Sequence, residues 1–143
     1  MPLYVDKISA KTINGEEINT ITVAIPSEDI LNLNSNPVVL VPAQGERKSI
    51  VITSLVGSMV YKTTTYTNGL ALSITLDVNE QGVFKDGFLG STSSSIFSGN
   101  VFTIDNSIPI PLNTDLIITT PNGNPANGDS DIKIHLTYKI VSL

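Results

Sequence analysis

The chain has no cysteine and no tryptophan, one histidine and one arginine, and few charged residues of either sign. Without cysteine there is no disulfide framework, no thiolate metal site and no cysteine nucleophile, and stability must come from packing or association. A single histidine, His135, rules out the HExxH zinc motif and any scheme that needs two imidazoles. The net charge of −5 and a sequence pI near 4.6 argue against nucleic acid as a partner, because phosphate binding needs clustered Lys and Arg. Long apolar runs are missing too. The weakly polar stretch IVITSLVGSMVY falls well short of the roughly 20 residues that cross a bilayer, so no membrane association is expected. The opening MPLYVDKISAKTING lacks the charged-then-apolar pattern of a secretory leader, and a soluble product is expected.

What the chain does have is Ile, Val, Thr and Ser, punctuated by Gly, Asn and Pro. Its 143 residues, 41% of them hydrophobic, suffice for one domain with a substantial core. Apolar and polar residues alternate in LALSITLD, with Leu70, Leu72, Ile74 and Leu76 on one face. They alternate again in the final segment, where Ile132, Ile134, Leu136, Tyr138 and Ile140 oppose Lys133, His135, Thr137, Lys139 and Val141. Less regular strands are predicted over 17–25, 37–42, 48–61, 100–105 and 115–120, with others near YVDKI and GVFKDGFLG. The sum is an all-β chain of about eight strands in an antiparallel sandwich or barrel. One short helix is predicted in IPSEDILNLN, capped by Ser27, with Ile30, Leu31 and Leu33 as an apolar plug. Asn68-Gly69 predicts a type I′ hairpin turn, and GSTSSSIFSGN (90–100) a mobile polar loop unless a neighbouring subunit covers it.

Four groups of residues invite a chemical reading. Arg47 and Lys48 stand together in PAQGERKS, but a β-branched run follows where a phosphate loop needs a helix, so a strand-to-strand corner is expected. His135 falls on the polar face of its strand and is expected to be an exposed spectator; no nucleophile-elbow serine accompanies it. Asn122, Asn124, Asn127, Asp129 and Asp131 are oxygen donors suited to calcium, yet the EF-hand order is missing and they are ordinary turn residues. Glu16, Glu17, Asp77, Glu80 and Asp86 could supply a glycosidase carboxylate pair only if the fold gathers them, and Tyr4, Tyr61, Tyr66 and Phe102 are the available stacking aromatics. No catalytic, cofactor-binding or metal-ligating residue is assigned, and no enzyme is expected.

The stretch IPSEDILNLNSNPVVLVPAQGERKSIVI resembles a family of small tailed-phage and prophage virion proteins, in which a short helix, an Asn-Pro step and a Leu-Val-Pro-Ala segment precede a branched strand. Pro37, Leu40, Val41, Pro42, Ala43, Gly45 and Lys48 carry the match. It continues through Tyr66, Leu70, Phe88 and Leu89 to Gly128, Asp129, Ile132 and Tyr138, and departs from the family pattern at AQGER and Ser130. The likeness spans about residues 24–143. It implies a jelly-roll-like β-sandwich domain over 24–143, with residues 1–23 as a strand or extension that anchors to a neighbour. It also implies a virion location and a head-decoration or head-fibre role as a homotrimer docked on other capsid, fibre or tail proteins. The alternative is a receptor- or glycan-binding module of a tail or fibre that uses loops 90–100 and 121–131.

Overall fold

The computed structural model describes residues 5–13, 16–102 and 109–143, with side chains from residue 17 onward. In chain order the elements are β1 (Val5–Ile13), β2 (Glu16–Ile25), α1 (Ser27–Ile30), β3 (Val38–Val41), β4 (Lys48–Met59) and β5 (Leu72–Leu76). They continue with β6 (Asn79–Phe84), β7 (Ser95–Ser98), β8 (Asn100–Val101), β9 (Leu116–Thr119) and β10 (Ile132–Ser142). Among the described residues these form two five-stranded antiparallel sheets: sheet A in the order β1-β2-β10-β4-β7, sheet B in the order β3-β9-β5-β6-β8. Pairing is nested. β2 lies beside β10, β3 beside β9, β4 beside β7 and β5 beside β6, so early strands meet late ones and the middle of the chain meets itself.

The two inner faces meet in one core. Sheet A contributes Val23, Ile25, Ile134 and Leu136, and sheet B contributes Leu72, Ile74, Leu116 and Ile118, all buried. At roughly 1.5–3 kcal/mol for each fully buried aliphatic side chain, these contacts are the main force holding the sheets together. Strand β10 follows the predicted alternation down to His135 and Thr137 on its outer face. Strand β4 does not alternate cleanly because it carries a bulge. Tyr138 pairs with Ile52 and Thr137 with Ser54, so Thr53 is the extra residue and the inward set shifts from Ile50 and Ile52 to Leu55, Gly57 and Met59.

Several expectations are corrected. Ser27 does not cap α1: Pro26 holds the N-cap position with no side-chain bond, and the Ser27 amide instead donates to Asp131 Oδ1 at 2.8 Å. The plug itself is there, with Ile30 and Leu33 fully buried and Leu31 packed against the core. Segment 90–100 is not simply a loop, since it contains β7, which pairs with β4 while Phe97 packs on Phe88 at 5.6 Å between ring centroids. Asn68 and Gly69 take the expected positive φ values of 59° and 51°, but they turn a loop rather than a two-strand hairpin: Thr67 bridges to Ala126, far away in sequence. Ser73, which falls on the polar phase of the alternation in LALSITLD, is nevertheless buried and donates to Glu80. The boundary expected between residues 23 and 24 falls inside β2, whose Ile21 and Val23 belong to the core. The expected strand over 100–105 is seen for Asn100 and Val101; residues 103–105 lie outside the described residues.

Candidate functional site

The outer face of sheet A is built from residues that a fully buried sheet would not use. β2 presents Thr20, Thr22 and Ala24; β10 presents Lys133, His135 and Thr137; β4 presents Ser54, Val56 and Ser58; β7 presents Ile96 and Ser98. Short hydroxyl side chains make this face smooth, and the exposed lateral bonds run between strands, as between the Thr20 and Thr137 hydroxyls at 3.4 Å. Two large apolar side chains interrupt it. Ile96, directly opposite Ser58 in the ladder, is 79% exposed, and Val60, just past the end of β4, is 74% exposed.

His135 sits in the middle of this face. It is half-buried rather than an exposed spectator, because both ring nitrogens are engaged: Nδ1 lies 3.1 Å from Thr22 Oγ1 and Nε2 lies 2.9 Å from Ser58 Oγ. A neutral imidazole donates from one nitrogen and accepts at the other, and hydroxyls can serve either role, so the Thr22–His135–Ser58 chain is fully satisfied. The three residues come from β2, β10 and β4, and only the register of three strands brings them together. Ser58 also lines a groove of about 440 Å³ whose walls include Ala24, Pro26, Val60 and Lys133. The Lys62–Asp131 ion pair, 3.2 Å apart and about half exposed at both ends, closes one rim.

The Asn- and Asp-rich loop does different work. Asn124 Oδ1 accepts the amides of Asn34 and Ser35 at 2.9 and 3.2 Å, and Asn127 Nδ2 donates to Thr67 Oγ1 at 2.9 Å. Asp129 accepts the amides of Thr63 and Thr64 at 3.1 and 2.9 Å and the Thr63 hydroxyl as well. The Thr63 hydroxyl first, and the Thr64 amide next, hold its carboxyl below the usual Asp range. Tyr66, buried beneath, donates from its hydroxyl to the Ser130 carbonyl at 2.5 Å, and burial above all raises its pKa well beyond the ordinary tyrosine value. The loop over 121–131 is therefore riveted to the segment over 61–69 and to the turn after α1. The side chains of Asn124, Asn127, Asp129 and Asp131 are used inside the chain, whereas Asn122 is exposed.

The remaining singled-out residues are dispersed. Arg47 and Lys48 form a corner, as expected: Gly45 and Arg47 both have positive φ, the Asn113 side chain accepts the Gly45 amide at 3.2 Å, and the Leu143 amide donates to the Arg47 carbonyl at 2.8 Å. Glu17 is exposed near the start of β2, and after burial it is the second influence raising the pKa of Tyr138. Asp77 turns the β5–β6 connection and borders a shallow concavity with Asp115, whose Oδ1 accepts the Ala43 amide at 2.7 Å. Glu80 holds Ser73, and Asp86 lies in the turn before Gly90. Tyr61 donates to the Thr63 carbonyl at 3.0 Å, and Phe102 is 42% exposed. Tyr4 and the Glu16 side chain lie outside the described residues. Among the described residues, no three His, Asp or Glu side chains gather into one metal-sized cluster.

Sequence reasoning missed Ser58 and Thr22. The only signal for them was alternation: both fall on the outward phase of their strands, as His135 does. Which serine faces the histidine depends on register, and the bulge at Thr53 hides that register from any reading of β4 alone.

Comparison of the chain with protein-family models, with curated protein sequences and with solved structures finds no match.

Proposed function

We propose that the chain is a virion structural protein of a tailed phage, a head-decoration or head-fibre component that associates as a homotrimer through the outer face of sheet A and docks on neighbouring virion proteins. The observation that carries this reading is the exposure of two large apolar side chains, Val60 at 74% and Ile96 at 79%, on a smooth face of Ser and Thr. Exposed large apolar side chains gathered on one face mark contact surfaces, and short hydroxyl residues lose little rotamer freedom when covered. The nested order of strand pairs supports a jelly roll, an architecture that serves capsids and lectins alike, so the fold by itself does not choose between structural and glycan-binding roles.

The state of the loops favours the structural role. A glycan-binding tip needs polar groups directed at solvent, whereas Asn124, Asp129 and Tyr66 direct theirs at the chain's own backbone. In this reading the anchoring element is β1: it is an edge strand of sheet A, and its far edge is where a neighbour's strand adds. The test is recovery of the chain from purified particles at a fixed ratio to the major capsid protein. A chain made in infected cells but missing from particles removes the proposal, and saturable binding to host-surface glycans transfers the chain to the receptor-binding class.

A further inference from the structure

We propose that Ser58 is a reactive serine that accepts acyl groups from short-chain carboxylic esters, with His135 as its base and the adjoining groove as the acyl pocket. The geometry is that of an activated nucleophile. Ser58 Oγ lies 2.9 Å from His135 Nε2, and Thr22 Oγ1, 3.1 Å from Nδ1, holds the ring from the opposite side. A third group that orients the base is the feature separating such a pair from a chance Ser–His hydrogen bond. Here that group is a hydroxyl where the familiar triads place a carboxylate.

The surroundings complete the site. Ser58 lines a groove of about 440 Å³, within the range of small-ligand pockets, and Ala24, Pro26 and Val60 give it an apolar wall. An acyl chain of a few carbons fits such a wall. Lys133 stands directly opposite Ser58 in the ladder and lines the same groove.

The chemistry balances without a cofactor. Ser58 Oγ bonds to the acyl carbon while its proton passes to His135 Nε2; the tetrahedral centre collapses, the bond to the leaving alcohol breaks, and the alcohol takes that proton. Water, losing a proton to the same nitrogen, then attacks the acyl-serine and regenerates Ser58, so that ester and water become acid and alcohol. His135 and Ser58 are the reacting groups, and Thr22 is a positioning residue. The groove shares with Val60 the face of sheet A assigned above to self-association, so the activity belongs to copies in which that face is uncovered, and turnover per chain is expected to fall as copies associate.

The experiment is turnover of p-nitrophenyl butyrate by the full chain, with peptide mass mapping of the acylated protein. Surface lysines also acylate, but they form amides that do not turn over, so repeated turnover isolates the serine. The expected result is an acyl group on Ser58 and a turnover that falls about 100-fold in both Ser58→Ala and His135→Ala. Thr22→Val, which leaves both reacting groups in place, is expected to lower turnover and to move the pH of half-maximal rate at an unchanged urea midpoint. Should His135→Ala fail to fold, Ser58→Ala and Thr22→Val carry the test. Acyl groups confined to lysines, or turnover in Ser58→Ala equal to that of the unaltered chain, would overturn the proposal.

Discussion

The ring of Tyr66 fills the space that a side chain on Gly128 would need: a β-carbon there would stand 2.1 Å from Cδ1 and 2.2 Å from Cγ. The contact pins the loop over 121–131 to the segment over 61–69, and the Tyr66 hydroxyl bonded to Ser130 completes it. Gly128→Ala must therefore displace a buried ring and is expected to lower stability by about 3 kcal/mol. Tyr66→Phe keeps the ring and loses one hydrogen bond, at about 1–2 kcal/mol. Urea denaturation of both variants checks the order; an alanine variant as stable as the unaltered chain would mean that the two loops are not packed this way.

Asp129 makes the same junction sensitive to acid. Its folded-state pKa lies below the unfolded value, so the stabilisation it gives is present above the ordinary Asp range and disappears as pH falls through the depressed folded value. Asp129→Asn should be less stable than the unaltered chain at pH 6, and the gap should close on acidification below about pH 4. Denaturation midpoints measured from pH 6 down to pH 2.5 give the result directly. A gap that widens at low pH has the wrong sign for this account.

Gly57 lies under an aromatic cluster. A β-carbon there would stand 2.6 Å from Phe88 Cε2, and Phe88 packs against Phe84 and Phe97 at 4.9 and 5.6 Å between centroids. Gly57→Ala is expected to cost about 1–3 kcal/mol. In a Phe88→Leu background, where the smaller side chain yields, the added cost should shrink by about 1 kcal/mol. Additive costs in the double variant would separate the two residues.

Arg47 holds φ at 67°, a conformation costly to any residue with a β-carbon, while its carbonyl accepts the Leu143 amide at 2.8 Å. The bond belongs to the backbone and survives side-chain replacement. Arg47→Gly should raise stability by up to about 1 kcal/mol, and Arg47→Val should lower it by about 1–2 kcal/mol. Thermal melts of the two variants test the pair; a destabilised glycine variant would show that the guanidinium itself holds the corner.

Much of the sandwich was legible because one buried face imposes a period of two. Ile132, Ile134 and Leu136 announce β10, and Leu72, Ile74 and Leu76 announce β5. β7 was not legible, since Ser95, Ser98 and the serines before them look like a linker, and only pairing with β4 makes them a strand. The positive φ values of Asn68 and Gly69 could be read from residue type, but their neighbour Gly123 could not, being 54 positions away by the numbering. The Thr22–His135–Ser58 chain depends on the register of three strands, which local periodicity does not encode. The partner of Ser27 was equally out of reach of local reading: its amide donates to Asp131, 104 positions away, while Pro26 holds the N-cap position.

If the face bearing Val60 and Ile96 joins copies of the chain, as proposed, the mass in solution shows it. Sedimentation equilibrium at micromolar concentration should give three times the 15.2 kDa chain mass for the unaltered protein. Ile96→Lys, at an exposed position where the fold tolerates a charge, should give the monomer mass with an unchanged circular dichroism spectrum. A monomeric unaltered protein, or a trimer indifferent to Ile96→Lys, would contradict the account.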